Sequence, residues 1–228
     1  MEIEVKYAVP SREAVTEILA DSFWDEVAKD EETETVPLRA IYYDTEDRSL
    51  RKLGITLRVR SEGPTAFCTA KWGGTVNGAV HAREEVNVPV PVEKASEVPE
   101  VSLLAGTPIA GTLKEAAEKS PLVPLLEMKF DRSRRRLIYD RNVIELAVDR
   151  GDIITPYGTA PILELELEHY AGPDPLAVLE LGEIVAEKYG LTLETRSKYS
   201  RGLQLLKESA ETEKSIPGPD EEDEFEED

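Results

Sequence analysis

The sequence predicts an α+β fold on a mostly antiparallel sheet. Three observations carry the prediction: short segments of strict two-residue alternation recur along the chain, turn signals join them, and a few stretches with helical spacing separate them into two blocks. With 228 residues and 40% hydrophobic content the chain supports one substantial core. The expected organisation is a single domain over residues 1–208, followed by a disordered acidic tail over 209–228.

Residues 2–9 place Glu2, Glu4 and Lys6 on one side and Ile3, Val5 and Tyr7 on the other, which predicts a strand with a charged face. Ser11 is an N-cap for a helix over 12–20, with Val15, Ile18 and Leu19 on its apolar side. The acidic stretch Asp25–Glu34 reads as a loop, Val36–Tyr43 as a strand, and the residues around Leu50 and Leu53 as a helical turn ended by Gly54. Three strands follow: Ile55–Ser61, Thr65–Trp72 and Gly78–Val90, with the GGTVNG segment as a hairpin signal. From Val92 to Ser120 the pattern is irregular and then helical, and it joins the two halves. The second block has strands at Leu125–Tyr139, Val143–Asp149 and Ile162–His169. Leu176–Tyr189 should be the longest helix, and Thr195–Leu206 ends the ordered part.

The formal net charge is −20, of which residues 211–228 supply −9 through ten acids and one lysine. Such a charge opposes nucleic acid and anionic membranes. No apolar run reaches the roughly 20 residues that span a bilayer, and no signal-peptide pattern opens the chain, so a cytoplasmic protein, monomeric or homodimeric, is expected. Cys68 is the sole cysteine and reads as buried filler; no Cys/His set has zinc spacing.

The chemistry resides in the non-apolar strand faces. A charged strand face is often merely a solvated one. Here mixed charges two residues apart recur in six segments: Glu2/Glu4/Lys6, Arg58/Arg60, Lys71, Arg83/Glu85, Arg132/Arg134/Arg136 and Glu164/Glu166/Glu168. A sheet closed into a barrel would aim these faces at a common lumen. Converging Lys and Arg side chains repel one another unless a polyanion sits between them, and guanidinium forks grip phosphate oxygens in pairs. Carboxylate pairs beside that polyanion call for a hard divalent ion, Mg²⁺ or Mn²⁺, held by oxygen ligands. Glu2 with Glu4, and Glu164 with Glu166, would form opposite walls of such a site. Tyr42 and Asp44 read as packing and turn residues, Asp152 as a turn residue, Arg135 and Arg141 as solvated, and Arg201 as a capping or pairing residue. His81 and His169 read as surface residues. No Ser/His/Asp set, phosphate-binding P-loop or dinucleotide motif is present.

The opening Glu2-Ile3-Glu4-Val5-Lys6 resembles the ExExK signature of the CYTH superfamily, also called the triphosphate tunnel metalloenzymes. In order there follow YYDT at 42–45, LRVR at 57–60, TAKW around Lys71, REE at 83–85, the arginine-rich strand, IELAVDRGDI at 144–153, PILELELE at 161–168 and SKYSRG at 197–202. This resemblance spans residues 1 to about 206. It implies a closed eight-stranded antiparallel β-barrel with flanking helices, enclosing a small-molecule triphosphate with Mg²⁺ or Mn²⁺. It further implies that Lys6, Arg58, Arg60, Lys71, Arg83, Arg132, Arg134, Arg136 and Lys198 hold phosphates, Arg134 being the central member of its triplet. Glu2, Glu4, Asp149, Glu164 and Glu166 would hold metal, with Glu2, Glu4, Glu164 and Glu166 serving catalysis and Glu85 and Glu168 as further candidates. Among the family's activities, the IELAVDRGDI and PILELELE segments look most like inorganic triphosphatases; class IV adenylyl cyclase, thiamine or nucleoside triphosphatase, and a non-catalytic polyphosphate-binding module are the alternatives.

Overall fold

The computed structural model describes residues 3–27, 32–77 and 80–215, without the side chains of 74–83 and 208–215. Nine strands form one sheet: β1 (Glu4–Ala8), β2 (Glu34–Thr45), β3 (Thr56–Glu62), β4 (Thr65–Asn77), β5 (Val80–Pro89), β6 (Leu122–Tyr139), β7 (Asn142–Thr155), β8 (Gly158–Ala171) and β9 (Thr192–Leu193). They lie in the order β5-β4-β3-β2-β6-β7-β8-β1-β9, and every pairing is antiparallel. Among the described residues six α-helices accompany the sheet: α1 (Arg12–Ala20), α2 (Phe23–Val27), α3 (Ser49–Lys52), α4 (Ala110–Lys119), α5 (Ala177–Tyr189) and α6 (Lys198–Ser215). No helix among the described residues is long and apolar enough to cross a membrane.

The expected closed barrel of eight strands is corrected to an open sheet of nine. Closure needs β5 to meet β1, but the far edge of β1 is already used: β9 pairs with Tyr7 and Ala8, and the Glu194 N–H donates to the Lys6 carbonyl at 2.9 Å. Among the described residues β5 pairs with β4 alone.

One face of the sheet is apolar and carries helices in two groups. Val15, Ile18 and Trp24 from α1 and α2, and Val178, Leu181 and Val185 from α5, pack on Tyr7, Leu137, Ile144, Leu146, Val148, Leu165 and Leu167. Leu50 and Leu113, from α3 and α4, pack on Ile41, Tyr43, Leu57, Val59, Cys68 and Ala70. The Ser11 side chain accepts from the Ala14 N–H at 3.1 Å, so α1 starts where its cap predicts. In the stretch read as an acidic loop, α2 forms instead because Phe23 and Trp24 anchor it; the Trp24 indole is 1% exposed and donates to the Ile18 carbonyl at 2.6 Å.

The longest helix is α6, with 18 residues against 13 in α5. Its Tyr199, Leu203 and Leu206, spaced i, i+4, i+7, seat it on Ala40, Tyr42, Leu126, Met128, Ile153 and Ile162, a dry patch at one end of the opposite, charged face. Gly202 permits the close approach: a Cβ there would lie 2.6 Å from a Leu126 methyl.

Candidate functional site

Antiparallel register determines which charged side chains share a surface. Lys6 of β1 lies opposite Glu166 of β8, Glu166 opposite Ala147 of β7, Ala147 opposite Arg134 of β6, and Arg134 opposite Glu34 of β2. The next row runs Glu164, Asp149, Arg132, Val36, and the one on the other side runs Glu4, Glu168, Glu145, Arg136. Through Ala40 the same face continues to Arg60 and Arg58 on β3, Lys71 on β4 and Glu85 on β5. Lys6, Arg60, Lys71 and Glu166 therefore stand on one surface. Glu2 lies outside the described residues, as do the side chains of Arg83 and His81.

The register also corrects the expectation of opposite carboxylate walls. β1 and β8 are hydrogen-bonded neighbours, so Glu4 stands directly across from Glu168, beside the Glu164/Glu166 pair rather than facing it.

The densest part of the face is a three-carboxylate, three-cation cluster. One oxygen from each of Asp149, Glu164 and Glu166 falls within 4.8 Å of the others. Asp149 and Glu164 are fully buried. Arg132 donates from Nε to Asp149 Oδ1 and from Nη2 to Oδ2, both at 2.7 Å, and from Nη2 to Glu166 Oε2 at 2.6 Å. Lys198, the first residue of α6, reaches Asp149 Oδ2 at 2.9 Å, Glu166 Oε1 at 2.8 Å and Glu164 Oε2. Arg201, one turn along α6, binds Glu164 Oε1, so it does pair, in the heart of the site.

These contacts fix ionisation states. Burial pushes the Glu166 carboxyl up, but the charges of Lys198 and Arg132 outweigh burial and hold it at about 2. Burial depresses the Lys198 ammonium, and the three carboxylates more than reverse that. Arg132 shows the same balance, burial opposed by Asp149 and Glu166, with a net rise. Arg132 rather than Arg134 is thus the triplet member that enters the carboxylates. Arg134 pairs with Glu34 and Glu62 at 3.0 Å, and Arg136 lies over the Tyr170 ring with its guanidinium carbon 3.9 Å from the centroid.

Away from the cluster the cations are less compensated. Burial, then the neighbouring charge of Arg58, lowers the pKa of Arg60. Arg58 donates to the Tyr42 hydroxyl at 3.2 Å, and the Tyr42 ring stacks on Tyr199 of α6 at 4.7 Å. Lys71 pairs with Glu85 at 2.6 Å. Asp44, read as a turn residue, instead lies buried near the end of β2, where its carboxylate accepts from the Thr45 and Leu50 N–H groups. Two further residues differ from their reading: Arg135 is nearly buried and pairs with Asp25 at 3.2 Å, and Asp152 belongs to β7, where Arg12 grips it at 2.9 Å. Sequence reasoning did not single out Glu62 and Glu34. Glu62 continues the alternation of Arg58 and Arg60, and that was the available signal.

Residues 1–203 match the CYTH domain family along almost the whole described length. The chain belongs to the CYTH family. An inorganic triphosphatase of Haemophilus influenzae is 31% identical over 165 residues, covering 72% of this chain and 44% of the relative, so this CYTH chain spans less than half the length of that relative. Among solved structures, a protein from Hippeastrum described as an adenylyl cyclase candidate with a dominant triphosphatase activity superposes at a TM-score of 0.63, with 20% identity over 90% of this chain and 96% of that one. An adenylate cyclase candidate from Bacillus halodurans gives 0.53, with 18% identity over 88% and 96%. At these identities the structural matches show a shared CYTH fold.

The donor set suits a hard divalent cation. Three carboxylates converge with no thiol or imidazole among them, which is the chemistry Mg²⁺ and Mn²⁺ select.

Proposed function

We propose that this CYTH domain hydrolyses inorganic triphosphate to pyrophosphate and phosphate with Mg²⁺ or Mn²⁺. The observation that carries the reading is one sheet face that presents Lys6, Arg58, Arg60, Lys71, Arg132 and Arg134 together with the Asp149, Glu164 and Glu166 carboxylates. The 31% identical inorganic triphosphatase supports that substrate over other triphosphates.

Lys6, Arg58, Arg60, Lys71 and Arg134 hold phosphate oxygens along the face, with Arg83, Arg136 and Lys198 as additional cationic contacts. An anion placed against Arg58 and Arg60 relieves their mutual repulsion, so binding draws on an electrostatic cost already present in the free protein. Asp149, Glu164 and Glu166, with Glu4 on the adjoining strand, and Glu2, are the residues that would hold the metal. When bound, a divalent ion there supplies neutralisation of phosphate charge and a more acidic water. The water oxygen bonds to the terminal phosphorus, the bridging P–O bond breaks, pyrophosphate leaves with that electron pair, and the water's proton passes to a flanking carboxylate. In the free protein the charges of Lys198 and Arg132 keep the Glu166 carboxyl ionised, the form in which a carboxylate holds a metal.

The test is phosphate release from tripolyphosphate with Mg²⁺ or Mn²⁺, beside ATP and thiamine triphosphate, with nucleotide products resolved by chromatography. Preferential turnover of tripolyphosphate is expected. Cyclic AMP with pyrophosphate from ATP would reassign the chain as a cyclase, and no turnover of any substrate would refute the enzymatic reading.

A further inference from the structure

All six oxygens of Asp149, Glu164 and Glu166 are engaged by cations of the chain itself. Arg132 takes both oxygens of Asp149 and one of Glu166, Arg201 takes one of Glu164, and the single ammonium of Lys198 touches one oxygen of each carboxylate. The charge count is three against three. Only Lys198 sits among all three acids, which is where a divalent ion bound by the same oxygens has to sit.

We propose that Lys198 is the built-in counter-ion of the metal site, so that a divalent cation binds only by expelling its ammonium, which is then free to engage phosphate. This rests on the reading of Asp149, Glu164 and Glu166 as the metal ligands. Retaining the ammonium beside a divalent ion would place five positive charges, two from the metal and three from Arg132, Arg201 and Lys198, against three carboxylates, in a pocket where Asp149 and Glu164 have no access to solvent. Arg132 reaches two of the carboxylates and Arg201 one, leaving Glu166 Oε1 and Glu164 Oε2 to Lys198, which alone of these three cations touches all three acids. Lys198 also opens α6, where the Ser197 hydroxyl caps the first turn by accepting from the Ser200 N–H at 3.1 Å. The next residue, Tyr199, stacks on Tyr42, which holds Arg58. Withdrawal of the ammonium therefore loosens the start of α6 and is felt at a phosphate-binding arginine, so the exchange couples arrival of the metal to readiness of the cationic face.

The experiment titrates Mn²⁺ alone into the full chain, with free Mn²⁺ read by electron paramagnetic resonance, for wild type, Lys198→Met and Lys198→Arg. Lys198→Met removes the competing charge and keeps the stem, and is expected to bind Mn²⁺ on the order of tenfold more tightly than wild type. Lys198→Arg keeps the charge and is expected to stay within about threefold of wild type. Amide hydrogen exchange over residues 198–203 is expected to rise on Mn²⁺ addition in wild type and to be insensitive to Mn²⁺ in Lys198→Met. Equal or weaker binding by Lys198→Met overturns the proposal, and so does an equal gain in Lys198→Arg, which would trace the effect to packing. Absence of Mn²⁺ binding in every form, up to millimolar concentration, overturns the metal assignment itself and the proposal with it.

Discussion

Removal of Arg132 is the most exacting test of the charge balance at the centre of the sheet. Its guanidinium makes three short charge-assisted hydrogen bonds, two to Asp149 and one to Glu166, and its side chain is 22% exposed against 0% for Asp149. In Arg132→Met the cluster falls to two cations against three carboxylates, two of them, Asp149 and Glu164, with no access to water. Stranding a buried charge in this way costs about 3–5 kcal/mol, more than the hydrogen bonds would contribute individually in water. Urea unfolding at pH 7 should therefore show Arg132→Met less stable by about 4 kcal/mol. The double variant Arg132→Met/Asp149→Asn, which removes the stranded charge, should recover more than half of that loss. A loss below about 1 kcal/mol for the single variant, or no recovery in the double, would show that the cluster is not the balanced unit its distances describe.

Three other outcomes can be measured. Glu4→Gln should lower kcat by roughly tenfold or more and raise the Mg²⁺ requirement, while Arg60→Ala should act mainly on KM for tripolyphosphate; equal, small effects of both would contradict a shared catalytic face. Because the Glu166 carboxyl is held at about 2, below its usual 4.5, its stabilisation is complete above pH 4.5 and disappears as pH falls towards 2. That contribution is up to about 3 kcal/mol, and urea midpoints of Glu166→Gln should vary less than wild type across this window. Gly202→Val should cost about 1–3 kcal/mol by forcing α6 off Leu126 and Ile153, seen as a lower thermal midpoint; an unchanged midpoint would show that the contact is slack.

Much of this was legible before any coordinates. A two-residue period fixes side-chain direction, so Lys6, Arg58, Arg60, Lys71, Arg132 and Glu166 could each be assigned to the polar side of a strand from alternation alone. The Ser11 cap likewise announced α1. Neighbour order is not legible, because alternation gives a face and no address: nothing in residues 2–6 says that β1 lies against β8, with Glu4 alongside Glu164 and Glu166 instead of across from them. Barrel closure failed for a related reason, since it depends on an edge that a two-residue strand, too short to show periodicity, occupies. Arg132 and Arg134 share a face and differ in reach only through the residues opposite them, Asp149 for one and Ala147 for the other. Arg201 and α6 were under-read because Tyr199, Leu203 and Leu206 form a sparse stripe among charges, and that stripe acquires meaning only against the dry patch beneath it.

That dry patch has a geometric consequence. With α6 as a stopper at one end, the ionic stretch of β8 runs only from Glu164 to Glu168, four residue steps at about 3.4 Å each, or roughly 14 Å. The charged row is therefore short, and α6 borders it at one end. If phosphates bind this face as proposed, an anion of a few of them spans a length comparable with that row, whereas a long polymer extends past it.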